Sequence, residues 1–162
     1  MSFKEIIKTI KIGQFKQLVI WFFKHPFFLV SAVFATLQTL KIAQKEFPNI
    51  HGNHNKANAF RHALWNILIA KKCRIFSDNL NKVVNWTTTF TDWHEDFVIN
   101  DELPRLMDLH NNAVGRKLFL AWKDEKTKTI AKLLKMELTN AKLIITKEGF
   151  NGVNNNSLVF LE

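Results

Sequence analysis

Between Asn55 and Cys73 the chain reads Asn-Lys-Ala-Asn-Ala-Phe-Arg-His-Ala-Leu-Trp-Asn-Ile-Leu-Ile-Ala-Lys-Lys-Cys. Asn55 has the side chain of a helix N-cap, and the run after it predicts a helix from about Lys56 to Cys73. Helical spacing sets Asn58, Arg61, His62, Trp65 and Asn66 on one face, with Phe60, Leu64, Ile67 and Leu68 toward another. The polar face contains no Lys, Glu or Gln, the strong helix formers that an ordinary solvated face favours. Asn, Arg, His and Trp instead carry directional hydrogen-bonding groups. One helix thus offers an apolar face for a core and a polar face that reads as a site.

Helices are expected on both sides of it. Upstream, Phe47 to Asn55 is a loop, and Pro26 opens a helix that runs to about Glu46. The first half of that helix is apolar nearly all round, which fits the central helix of a bundle or one that touches a membrane. Its uninterrupted apolar piece, Phe27 to Leu37, is shorter than the roughly 20 residues a span needs. Further upstream, Phe3, Ile6, Ile7 and Ile10, then Phe15, Leu18, Val19 and Phe22, follow helical spacing. Up to residue 45 there are seven Lys and one acid, Glu5. Such a basic amphipathic helix can lie on an anionic membrane, with Trp21 and the Phe pairs in the headgroups. It can equally pack on its own core with its lysines in water.

Downstream, Ser77-Asp78 opens a helix that reaches about Phe97. Others are expected from Pro104 to Trp122 and from Asp124 to Asn140. Lys142 to Thr146 and Ser157 to Leu161 are β-prone around a Gly/Asn-rich stretch, which reads as a hairpin with a long loop. The expected fold is mainly α: a compact bundle of about five to six helices with a small C-terminal β-hairpin. The 162 residues suit one domain, with basic, hydrophobic helices over 1–46, motif-bearing helices over 56–122 and the tail over 142–162.

Composition agrees. Fifteen Phe and five Trp, with hydrophobic residues at 47%, can build a real core and exclude a disordered chain. The net charge of +9 favours an anionic substrate, a membrane surface or nucleic acid, without choosing among them. Oligomeric state is not legible. The single Cys73 forms no internal disulfide. It stands among Lys71, Lys72 and Arg74, which would lower its pKa if they faced it, or it is an unremarkable thiol near a helix end. No segment reads as a signal peptide, so the expected location is the cytoplasm, peripheral at most to the inner face of the membrane.

Two further segments carry chemistry. In Thr91-Asp-Trp-His-Glu-Asp96, His94 and Glu95 share a broad face with Thr91. A His beside a carboxylate supports metal ligation or general acid–base work; Asp92 and Asp96 read as solvated. In Met107-Asp-Leu-His-Asn-Asn-Ala-Val-Gly-Arg116, helical spacing lines up Asp108, Asn111, Asn112 and Gly115. Two mid-helix Asn cost about half a kcal/mol each relative to Ala, a departure that marks functional or special packing positions. Gly115 admits close approach of a helix or ligand, and His110 points away from Asp108. His51 and His54 lie on the loop before the first site helix, where one could close over the site; His25 is a weaker candidate.

Together the three helices offer His62, His94, Glu95 and Asp108 as catalytic or metal-binding groups for a divalent cation such as zinc or magnesium. Arg61, Trp65, Asn66, Asn111, Asn112 and Arg116 would bind substrate. The constructive reading is a metal-dependent hydrolase acting on a phosphoester, lipid or other, near a membrane. The alternative is a non-enzymatic membrane or protein-binding module whose polar cluster only locks helices. A nuclease is the third. No His-Glu-x-x-His and no Cys pair is present.

The strings Asn58-Ala-Phe-Arg-His-Ala-Leu-Trp-Asn66, His94-Glu95 and Met107-Asp-Leu-His-Asn-Asn-Ala-Val-Gly-Arg116 resemble an uncharacterised bacterial domain family. That family is marked by an AFRHALW helix, an HE pair and an MDLHNNxVGR helix. It occurs as stand-alone proteins and as C-terminal domains of large secreted polymorphic toxins. The resemblance spans about Asn58 to Arg116 and brings no settled reaction. Placement at a toxin tip implies an enzyme that attacks nucleic acid, lipid or envelope.

Overall fold

A computed structural model describes residues 12–50, 52–96, 101–153 and 156–162. The expected first half of the N-terminal helix lies outside these residues. Six α-helices are described: α1 (Ile12–Lys24), α2 (Pro26–Glu46), α3 (Lys56–Arg74), α4 (Leu80–Glu95), α5 (Glu102–Trp122) and α6 (Thr127–Glu137). The mainly helical class holds.

Local chemistry sets most of the boundaries. Pro26 occupies the first turn of α2, where its missing N–H costs no helix bond. Asn55 caps α3, its side chain accepting from the backbone N–H of Ala57 and Asn58 at 2.9 and 3.2 Å. Asn79 caps α4 by accepting from Lys82 N at 3.0 Å. That cap starts α4 two residues beyond the expected Ser77-Asp78.

The central helix is α3, not α2. From Ala57 to Ala70 every α3 residue except Arg61 is buried, because α2, α4, α5, α6 and the last strand all pack on it. α2 lies to one side. Its small residues Ser31, Ala32, Ala35 and Thr39 are buried, while Phe27, Val30, Phe34 and Leu37 are exposed. By length and composition α2 is apolar enough to cross a membrane, with mean hydropathy 1.5. Trp21 does not reach outward, as the membrane-lying alternative would have it, but packs on the core. It is buried against Trp86 and Trp93, with ring centroids 5.2 and 5.0 Å away.

Gly115 explains how tightly the middle is built. A Cβ there would lie 2.5 Å from the Ala63 carbonyl oxygen and 2.7 Å from its Cα. α5 therefore crosses α3 with backbone nearly on backbone. This brings Asn112 within reach of the groups on α3 and α4.

The tail corrects one expectation. Its two strands, β1 (Lys142–Leu143) and β2 (Val159–Phe160), do pair, but in parallel, so they form no hairpin. Residues 144–158 include a 3-10 turn, Lys147–Gly152, and supply the length that a parallel return requires.

Candidate functional site

Three helices bring one residue each to a buried centre. His62 of α3 lies between Glu95 at the end of α4 and Asp108 near the start of α5. His62 Nδ1 is 3.4 Å from Glu95 Oε1, and Nε2 is 3.3 Å from Asp108 Oδ1. One ligand-type atom from each of the three lies within 4.8 Å of the others. His62 is 5% exposed, Glu95 2% and Asp108 3%, so a cation held there would shed most of its water.

The ring of His62 is oriented by an amide relay. Asn112 Nδ2 donates to Glu95 Oε1 at 3.0 Å, and Asn112 Oδ1 accepts from Asn66 Nδ2 at 2.7 Å. A carboxylate only accepts, so the Asn112 amide can sit only this way round. Its oxygen then lies 3.2 Å from His62 Nδ1. With acceptors on that side, Nδ1 carries the hydrogen. Nε2 is left facing Asp108 and Arg61 Nη2, the latter at 2.9 Å. Metal-ligating histidines share the first half of this pattern, one nitrogen donating to a fixed acceptor; the other nitrogen here is met by Arg61, which would have to swing aside for a cation.

The relay ends at Arg116. Its Nη1 donates to Asn66 Oδ1 and Thr91 Oγ1, both at 3.1 Å, and to Asp92 Oδ1 at 3.2 Å. Thr91 Oγ1 also donates to Asn66 Oδ1 at 3.1 Å.

Burial and charge oppose one another at the centre. Burial disfavours a charge on His62, yet Asp108 and Glu95 outweigh it and raise its pKa. Burial pushes the Glu95 carboxyl up, but His62, His94 and Asn112 outweigh that and hold it at about 2. For Asp108 burial prevails over His62 and Arg61, and its pKa is raised. Asp108 Oδ1 has no hydrogen-bond partner among the described residues, and neither does Asn58 Oδ1, one helical turn before His62.

Over residues 19–142 the chain matches the family described as a domain of unknown function, DUF6973. The chain belongs to that family. No curated protein and no solved structure matches it. The DUF6973 match takes in all of α3, α4 and α5. His62, Glu95 and Asp108 are therefore part of the family domain, while β2 lies beyond it.

Of the residues singled out in the DUF6973 sequence, His62, Glu95 and Asp108 come together, with Arg61, Asn66 and Asn112 around them. His94 does not join the three. Its ring packs edge-on against Trp65, centroids 5.1 Å apart, and burial lowers its pKa. Trp65 serves the core: its indole N–H donates to Thr36 Oγ1 of α2 at 2.8 Å. Asn111 turns to the tail, donating to Val159 O at 2.9 Å and accepting from Val159 N at 3.0 Å. Both of its amide ends are used there, which leaves none for a substrate. Arg116 is engaged by Asp92, Thr91 and Asn66. Asp92 itself is half-buried in that pair rather than solvated.

Asp96 is exposed and pairs with Arg105. His110 indeed points away, to Ser157 O at 2.9 Å. His54 stands near enough to Asp108 to interact with its carboxyl electrostatically, while His51 lies outside the described residues. Thr91, which helical spacing sets on the Glu95 face, meets Asn66 and Arg116 there.

Proposed function

We propose that the chain is a hydrolase, with His62, Glu95 and Asp108 holding a divalent cation such as zinc or magnesium and acting on a phosphoester near a membrane surface. The observation that carries this reading is the convergence of the three groups with Asp108 Oδ1 buried and without a hydrogen-bond partner beside His62 Nε2. A buried acceptor left so costs about 1–3 kcal/mol, a cost that a bound cation removes. Two carboxylates and an imidazole suit such an ion.

Held by His62, Glu95 and Asp108, the cation would lower the pKa of a bound water. That water's oxygen would bond to phosphorus, the phosphorus–oxygen bond to the alcohol would break, and the proton given up by the water would leave on the alcohol. Arg61, half-buried beside the centre, neutralises the phosphate. Resemblance to domains at the tips of secreted toxins supports an enzyme of this kind, with lipid and nucleic acid as the phosphoester sources.

The test is the metal content of purified protein, wild type against His62→Ala, alongside turnover of phosphomonoester, phosphodiester lipid and nucleic-acid substrates. One equivalent of metal and turnover, both lost in the variant, is the expected result. Absence of both from the wild type would sink the reading.

A second reading is a binding module in which the cluster only joins helices. It is favoured by the near-complete burial of His62, Glu95 and Asp108 and by the saturated Asn66–Asn112 relay. It expects early melting of relay variants with neither metal nor turnover.

A further inference from the structure

The outward faces of α1 and α2 form an unusual surface. On α1, Phe15, Val19, Phe22 and Phe23 are exposed; on α2, Phe27, Val30, Phe34 and Leu37 follow at helical spacing. Phe23 is 78% exposed and Phe34 60%, far from the isolated surface hydrophobe that needs no explanation. The turn after α3 extends the patch. Phe76 stacks on Phe27 with centroids 5.1 Å apart, and Ile75 beside it is 76% exposed.

Charge says what covers this face. Lys16 and Lys24 flank the α1 stripe, and the α2 stripe ends one turn past Leu37 in Lys41, all three exposed. Over α1 and α2, residues 15 to 46 hold four Lys, all exposed, and one acid, Glu46, which Lys135 already holds at 2.8 Å. A cleft of about 500 Å³ beside the patch is lined by His25, Lys82 and Trp86 among others, and its lining contains no carboxylate. A second copy docking through the same patch would set these cations against their own counterparts. A sheet of lipid phosphates pairs each of them.

We infer that this face docks on an anionic bilayer, with the exposed Phe rings at the headgroup boundary and Lys16, Lys24 and Lys41 on lipid phosphates. α2 lies along the surface, because its small-residue face is packed on α3. The inference takes up the membrane vicinity of the functional reading, but it uses none of the site residues. Failure of either is therefore visible separately: vesicle binding tests one, metal content and turnover the other.

The experiment is flotation of the full chain with vesicles of phosphatidylcholine, alone or mixed with phosphatidylglycerol. Binding is expected to the mixed vesicles only, and to weaken with added salt. The double variant Phe23→Ser, Phe34→Ser should bind about tenfold or more weakly while melting like wild type, since both rings are exposed. Equal binding to neutral vesicles, or undiminished binding of the variant, would overturn the proposal. So would a wild-type dimer that the variant dissociates and vesicles leave intact. Retention through salt and alkaline washing would mark a spanning helix and overturn surface docking too.

Discussion

Asn112 shows how much one side chain can hold. It touches Glu95, His62 and Asn66 at once, so Asn112→Ala takes one partner from each of three buried polar groups. The expected cost is about 3 kcal/mol, measured as a shift in the urea midpoint. Asp108 behaves in the opposite sense. Burial raises its pKa, so keeping it charged in the folded state costs free energy. Asp108→Asn should raise the melting temperature of metal-free protein by about 3 °C and abolish metal binding. A lower melting temperature would show that Asp108 serves the fold rather than a ligand.

Cys73 is a simpler case. Despite Lys71, Lys72 and Arg74 nearby in sequence, burial pushes its thiol up to about 12. Iodoacetamide should leave it unmodified in the native protein and label it only after unfolding. The unfolded thiol ionises near roughly 8.5 and the folded one does not. Its contribution to stability is therefore complete below that pH and falls as pH rises toward 12. Rapid native labelling would contradict this.

At the level of elements, the site depends on how closely α5 approaches α3. Gly115→Ala places a methyl group in the Ala63 backbone and should destabilise the protein by about 1–3 kcal/mol. Because that shift moves Asn112 and Asp108 together, metal affinity should fall as well. A variant with wild-type melting and affinity would show that the crossing is loose. The tail depends on α5 too. Asn111 gives Val159 both bonds that a neighbouring strand would give, so Asn111→Ala should speed amide exchange at Val159 and leave the buried α3 amides unchanged.

Over the whole molecule, α3 makes contact with nearly every other element. None of α2, α4, α5 and α6 can leave without exposing it, so calorimetric unfolding should be a single transition of about 110 kcal/mol. The van't Hoff and calorimetric enthalpies should agree. Two separate transitions would mean that α1 and α2 come away before the rest.

Helical period, the Pro26 turn and the Asn55 cap were legible residue by residue, because caps and amphipathic spacing act over a few neighbours. So was the strangeness of Asn58, Arg61, His62, Asn66, Asp108 and Asn112, since polar residues without Lys or Glu on a helix face contradict local preference. Adjacent positions could not be told apart in the same way. His94 and Glu95 differ by 100° around α4, and only the packing of α4 on α3 turns Glu95 inward and sets His94 on Trp65. Asn111 and Asn112 are divided likewise, one toward β2 and the other toward His62. The direction of the tail strand, the exposure of α2 and the burial of α3 follow from which helices meet. The amino-acid sequence by itself determined the helices and the polar residues they carry. Only the tertiary structure decided which three of them share one buried point, because that depends on helix crossings between residues some 50 positions apart.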